Sequence, residues 1–143
     1  MARSPNSLGA VGIGVSDLPR SVDFYSRVLG LTQTQTFKLD YMDEVVLAYE
    51  GRTAVVLMHY TDGSARNYRD NPVKLVFYVT DPVALAGKIK AAGLEVTHEP
   101  TPNANLGGAV ICLARDPDGY VIELIQRPAA SAASVAGAQT AVG

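Results

Sequence analysis

The chain carries a single cysteine, Cys112, among its 143 residues. That excludes an internal disulfide, so the fold has to rest on its hydrophobic core, which a chain of this length can bury. Cys112 itself lies in the apolar run AVICLA and reads as a small buried hydrophobe. Positive charge is not in surplus either: 12 Lys and Arg stand against 14 Asp and Glu, for a net charge of -2. Such a balance has no basic surplus of the kind that draws nucleic acid or an anionic membrane, so neither is the expected partner. No apolar run is long enough to span a bilayer, and MARSPNSLGAVGIGV lacks a secretory apolar segment, so the expected location is the cytoplasm. There is no phosphate-binding glycine loop, nucleophile elbow or paired-cysteine spacing. GAVGIGV fails as a dinucleotide fingerprint, because Gly9, Gly12 and Gly14 lie within a strand rather than at a strand-to-helix turn. A small molecule is the remaining class of partner, and no cofactor is implied.

What is present is an internal repeat. GVSDLPRSVDFYSRVLGL in the first half is echoed by YVTDPVALAGKIKAAGL in the second, each reading as strand, aspartate, helix and Gly-Leu. Asp17 and Asp81 are candidate N-caps, Pro82 suits a first helical turn, and Gly30 and Gly93 are stop signals. Leu18, Val22, Tyr25 and Leu29 form the first apolar stripe, and Leu85, Ile89 and Ala92 the second. Strand-like runs follow: EVVLAYEG and TAVVLMHY after the first helix, EVTHEP, AVICLAR and YVIELIQ after the second. Glu50-Gly51 and Asp118-Gly119 read as hairpin turns. The expected fold is α+β, with two βαβββ modules at about 8–62 and 73–127 in one domain, 1–127. A linker at 63–72 joins them, and an Ala-rich mobile tail covers 128–143.

One carboxylate interrupts the last strand. Alternation places Val121, Glu123 and Ile125 on one face and Ile122 and Leu124 on the other. An unpaired buried carboxylate is costly, so Glu123 is exposed to a cavity, paired, or used. Three readings follow. In an apolar cleft desolvation would raise its pKa and suit it to proton transfer next to a carbonyl; it would alternatively accept hydrogen bonds from a ligand without turnover, or be held by an arginine or tyrosine.

GVSDLPRSVDFYSRVLGL and DPDGYVIELIQ, over roughly Leu8 to Arg127, resemble the vicinal oxygen chelate superfamily, which includes glyoxalase I, extradiol dioxygenases and bleomycin resistance proteins. AVVLMHY, GKIKAAGLEVTHEP and DPDGYVIELI look closest to the glyoxalase I branch. The resemblance implies curved sheets around a cleft, completed in a homodimer. It also implies four metal-ligand positions, which fall on Ala10, Leu57, Leu75 and Glu123. Only Glu123 keeps a coordinating side chain, so no metal is expected. On this reading an apolar cleft is lined by Ala10, Gly12, Val55, Leu57, Leu75, Phe77 and Val121, and it suits a hydrophobic oxygenated ligand. His59, two residues beyond Leu57, would face the same way and share the cleft with Glu123, within the chain or across a dimer. His98 reads as surface. Arg66, Tyr68, Arg69, Asn103 and Asn105 are candidate residues for the mouth of the cleft, outside the catalytic pair.

The function expected is metal-independent isomerase or lyase chemistry with Glu123 as acid and base and His59 assisting. The alternatives are a non-catalytic resistance or sequestration protein, and a metal-dependent glyoxalase-like lyase or dioxygenase with shifted ligands.

Overall fold

The computed structural model describes residues 6–52 and 54–129, so most of the expected tail lies outside the described residues. Strand β1 (Ala10–Gly14) leads into α1 (Leu18–Asp23), and β2 (Thr32–Lys38), β3 (Met42–Ala48) and β4 (Ala54–Tyr60) complete the first half. Strand β5 (Lys74–Tyr78), α2 (Pro82–Ala91), β6 (Val96–Asn103), β7 (Ala109–Arg115) and β8 (Val121–Gln126) repeat the pattern. Two four-stranded mixed sheets result, in the orders β1-β4-β3-β2 and β5-β8-β7-β6. Among the described residues only the pairs β1/β4 and β5/β8 are parallel. In each half the helix provides the connection a parallel pair requires.

The helix starts follow from their caps: the Asp17 carboxylate accepts from the Arg20 N–H at 3.1 Å, and that of Asp81 from the Ala84 N–H at 3.0 Å. The first helix then widens into a π-helical turn over Phe24–Val28. The extra width turns the consecutive pairs Phe24-Tyr25 and Val28-Leu29 inward together, and all four are buried. In α2 the inward residues are Pro82, Ala86 and Ile89, while Ala92 is exposed, so the stripe runs through Ala86 instead.

Both helices cover the same side of their sheets. Ile13, Val45, Leu47, Val55 and Leu57 of the first sheet and Leu75, Phe77, Ile122 and Leu124 of the second join the helical residues in one core cluster. Each fully buried aliphatic side chain there contributes about 2 kcal/mol. The Tyr25 and Tyr49 rings reach Phe77 at 6.5 and 6.1 Å between centroids, which carries the core from one half to the other.

A polar clamp also joins the halves. The turn between β7 and β8 presents Asp116 and Asp118, both buried. Tyr25 donates its hydroxyl to Asp116 at 2.7 Å, and the Ser16 N–H donates to Asp118 at 3.0 Å, with the Ser16 hydroxyl donating to the same carboxylate. In return Tyr120 donates to the Gly14 carbonyl at 2.6 Å. Burial pushes the Asp116 carboxyl above its ordinary pKa, although Tyr25 and the N–H groups of Tyr120 and Asp118 pull it down. The Tyr25 phenol is pushed well above 10 by burial and by the Asp116 charge. Among the described residues no helix is long and apolar enough to cross a membrane.

Candidate functional site

Each sheet has an open face, turned away from its helix. On β8 that face carries Val121, Glu123 and Ile125, since Ile122 and Leu124 are fully buried beneath α2. Across the sheet, Glu123 stands opposite Leu113 of β7, and Leu113 opposite His98 of β6. On the other side its parallel partner is Val76 of β5, flanked by Lys74 and Tyr78. The side chain of Glu123 is 17 % exposed, and Lys74, 52 % exposed, donates from Nζ to its Oε1 at 3.1 Å. Glu123 is thus partly buried among Val121, Ile125, Leu113 and Val76, with one cation beside it. Of the three sequence readings, pairing is realised geometrically, but by a lysine rather than an arginine or a tyrosine.

The first sheet's open face is chemically different. Gly12 aligns with Val56, Gly14 with Met58 and Ala10 with Ala54 along the parallel β1/β4 pair. On β3, Val46 and Glu44 stand opposite Val56 and Met58. Met58 lies across Gly12, where an added Cβ would come within 3.0 Å of its sulfur. Ala10 and Gly12 therefore do sit on an open face, although in the sheet that lacks Glu123.

The phase expected for β4 and β5 is one residue out. Val55, Leu57, Leu75 and Phe77 point to the helix side, where all four are buried. A shift of one residue exchanges every side chain between faces, and runs such as AVVLM and LVFYV are apolar on both, so alternation alone does not fix which face is which. Val55, Leu75 and Phe77 do line a groove of about 990 Å³ between the halves, together with Val11, Tyr49 and Leu85. Leu57 lies in the core. Val121 borders a smaller hollow of about 370 Å³ with Lys74 and Arg115.

His59 also follows the helix side, at the end of β4, while Glu123 occupies the open face of the other sheet. The two do not share a cleft within one chain. The His59 Nδ1 lies 2.8 Å from the Val15 carbonyl. A carbonyl only accepts, so Nδ1 carries the hydrogen. The ring stacks on Tyr68 at 5.7 Å, which ties the linker to β4. The Arg66 guanidinium lies 3.9 Å over the Tyr60 ring. The Asn103 side chain accepts from the Asn105 N–H at 2.9 Å and so shapes its own turn. His98 is exposed, on the open face that also carries Glu123. Burial raises the pKa of the Cys112 thiol, the opposite of what a nucleophile needs.

Among the described residues no group of three or more His, Cys, Asp or Glu stands close enough to hold a metal ion. Beside Glu123 the open-face neighbours are a lysine and aliphatics, so the donor set of one chain does not fit a divalent cation. Sequence reasoning missed Lys74. Reading VKLVFYV and YVIELIQ as parallel neighbours would have found it, since that pairing brings a lysine and a glutamate together.

The comparisons with known proteins agree with this architecture. The chain is 36 % identical over 124 residues to a probable lactoylglutathione lyase of Vibrio cholerae, covering 82 % of this chain and 88 % of that one. It is 34 % identical over 117 residues to the lactoylglutathione lyase of Escherichia coli O157:H7, covering 78 % and 86 %. The crystal structure of glyoxalase I from Zea mays superposes with a TM-score of 0.73 at 27 % identity, over 85 % of this chain and 45 % of that one. The chain thus spans about half the length of the maize enzyme. Residues 7–124 match the model of one family, and the chain belongs to the Glyoxalase/Bleomycin resistance protein/Dioxygenase superfamily.

Proposed function

We propose that this chain catalyses a metal-independent lyase- or isomerase-type proton transfer next to a carbonyl of a hydrophobic, oxygenated small molecule, with Glu123 as acid and base. The observation that carries the reading is the place of Glu123: a partly buried carboxylate on an open sheet face, among aliphatic side chains, with a single cation beside it. Such a group is able to take a proton from carbon and hold it out of bulk water for return. The lyase names of the relatives support this class of chemistry.

The test is solvent deuterium exchange at the carbon next to the thioester carbonyl of S-lactoylglutathione, followed by proton NMR. Wild-type protein is expected to catalyse exchange, and Glu123→Gln to slow it by about 10²- to 10⁴-fold. Equal rates in the two proteins would remove Glu123 from the chemistry.

A second reading, binding without turnover, is favoured by the groove between the halves, whose volume of about 990 Å³ suits a drug-sized molecule. It predicts stoichiometric uptake and recovery of unchanged ligand, read by mass spectrometry. The first reading includes a homodimer, because among the described residues β1 and β5 are sheet edges without a hydrogen-bonded neighbour on one side. Val11, Val76 and Tyr78 on these edges are 42, 45 and 62 % exposed. Light scattering should then give twice the 15.1 kDa chain mass, and a monomer at micromolar concentration would overturn it.

A further inference from the structure

We propose that Lys74 is the oxyanion-binding group of this site, holding the substrate oxygen on which charge develops when Glu123 takes a proton; this rests on the reading of Glu123 as the base. An ammonium group has three N–H donors. One of those on Lys74 is given to Glu123, and no other acceptor engages Nζ among the described residues. Lys74 pairs with Val121 in the parallel register, and both border the hollow that Arg115 and Asp70 also line. The other cations of this region are engaged elsewhere: Arg115 donates to the Gly119 carbonyl at 3.1 Å, and the Arg127 guanidinium lies 4.3 Å over the Tyr78 ring.

The charge balance of the step favours the same assignment. Glu123 removes a proton from the carbon next to a carbonyl, the C–H electron pair becomes the new C=C bond, and the carbonyl π pair moves onto oxygen. The negative charge has then passed from Glu123 to the substrate oxygen, while Lys74 stays protonated and changes its counterion from one to the other. Return of the proton from Glu123 to the same carbon reverses these movements, which is the exchange reaction, and no oxidant, reductant or co-reactant is consumed. A donor already held within 3.1 Å of the base needs little rearrangement to follow the charge.

Oxalate, a planar anion with adjacent oxygens like those of an enediolate, serves as the probe, in ¹H–¹⁵N chemical-shift titrations of the full chain. If Lys74 is the oxyanion group, Glu123→Gln binds oxalate about tenfold or more tightly than wild type, because the competing carboxylate charge is gone. Adding Lys74→Met to Glu123→Gln loses at least about tenfold in affinity, and Lys74→Arg in its place retains binding. Equal binding by Glu123→Gln with and without Lys74→Met overturns the proposal, as does the absence of oxalate shifts around Lys74 and Val121. If Lys74-dependent binding holds while Glu123→Gln exchanges deuterium as fast as wild type, the base assignment fails and the oxyanion site stands.

Discussion

The two halves share one strand order and one helix placement, yet their open faces differ. The first presents Gly12, Val46, Val56 and Met58 along its centre, with Glu44 opposite Met58 and outside any ion pair among the described residues, while the second sets Glu123 beside Lys74 among aliphatics. The turns that close their last hairpins differ as well. Glu50-Gly51 is exposed and closes only its own hairpin, whereas the turn from Asp116 to Tyr120 reaches Ser16, Gly14 and Tyr25 of the other half. A repeated architecture has therefore been given unequal duties: the second half supplies both the clamp and the ionisable pair.

The largest effect is expected where the halves are clamped. Asp116→Ala leaves the Tyr25 hydroxyl and the N–H groups of Asp118 and Tyr120 without their buried acceptor. Stability should fall by about 3 kcal/mol, roughly 10 °C in Tm for a chain of this size. Glu50→Ala, at the corresponding turn of the first half, should stay within about 0.5 kcal/mol of wild type. Urea titration of the two variants side by side measures the difference, and equal losses would erase the asymmetry.

The same clamp has a pH signature. Burial raises the folded pKa of Asp116 above the ordinary carboxyl value of about 3.8. The ionisation-linked part of its contribution is therefore fully present below about pH 3.8 and is lost as pH rises through the folded value, while the hydrogen bonds remain. Subtracting the stability-against-pH curve of Asp116→Asn from that of wild type should leave a term that declines with rising pH in this window. A term that grows instead would mean the three hydrogen bonds outweigh burial.

A smaller effect separates two glycines of β1. A Cβ on Gly14 would lie 3.1 and 3.2 Å from ring carbons of Tyr68, whose ring stacks on His59 and whose hydroxyl accepts from the Tyr60 N–H. Gly14→Ala should cost about 1–2 kcal/mol and loosen the linker, read as faster amide exchange at Tyr60. Gly12→Ala meets only the flexible end of Met58, so its cost should stay below about 1 kcal/mol.

These expectations show which parts of the molecule are written locally. Helix starts were legible because Asp17 and Asp81 announce them within three residues, and the hairpins because Gly51 and Gly119 take φ of 74° and 87°. Strand β2, TQTQTFK, was not singled out, since all seven of its residues are exposed and no apolar alternation marks it. The faces of β4 and β5 depend on which side the helices cover, a tertiary fact that doubly apolar runs do not record. Asp118 bonds Ser16 across 102 positions, and no local pattern announces such a partner. Glu123 stood out because it breaks an apolar run, whereas Lys74 begins its strand and looks like ordinary surface charge until the parallel register is known.

The smallest expected effect bears most directly on why the second half carries a charged pair. Lys74 is 52 % exposed, and solvent screens its attraction to Glu123, so the pair contributes about 0.5 kcal/mol or less to folding. Lys74→Met keeps an unbranched aliphatic stem at the position paired with Val121 and removes the charge, so the urea midpoint should scarcely move. Carboxylate and ammonium are costly to keep together on a face whose counterpart in the first half carries a carboxylate, Glu44, without an ion pair among the described residues. A near-zero stability change in Lys74→Met, beside a large loss of oxalate binding in the Glu123→Gln background, would assign the pair to the site rather than to the fold. A loss above about 2 kcal/mol would reverse that assignment and make the second face, like the first, a matter of packing.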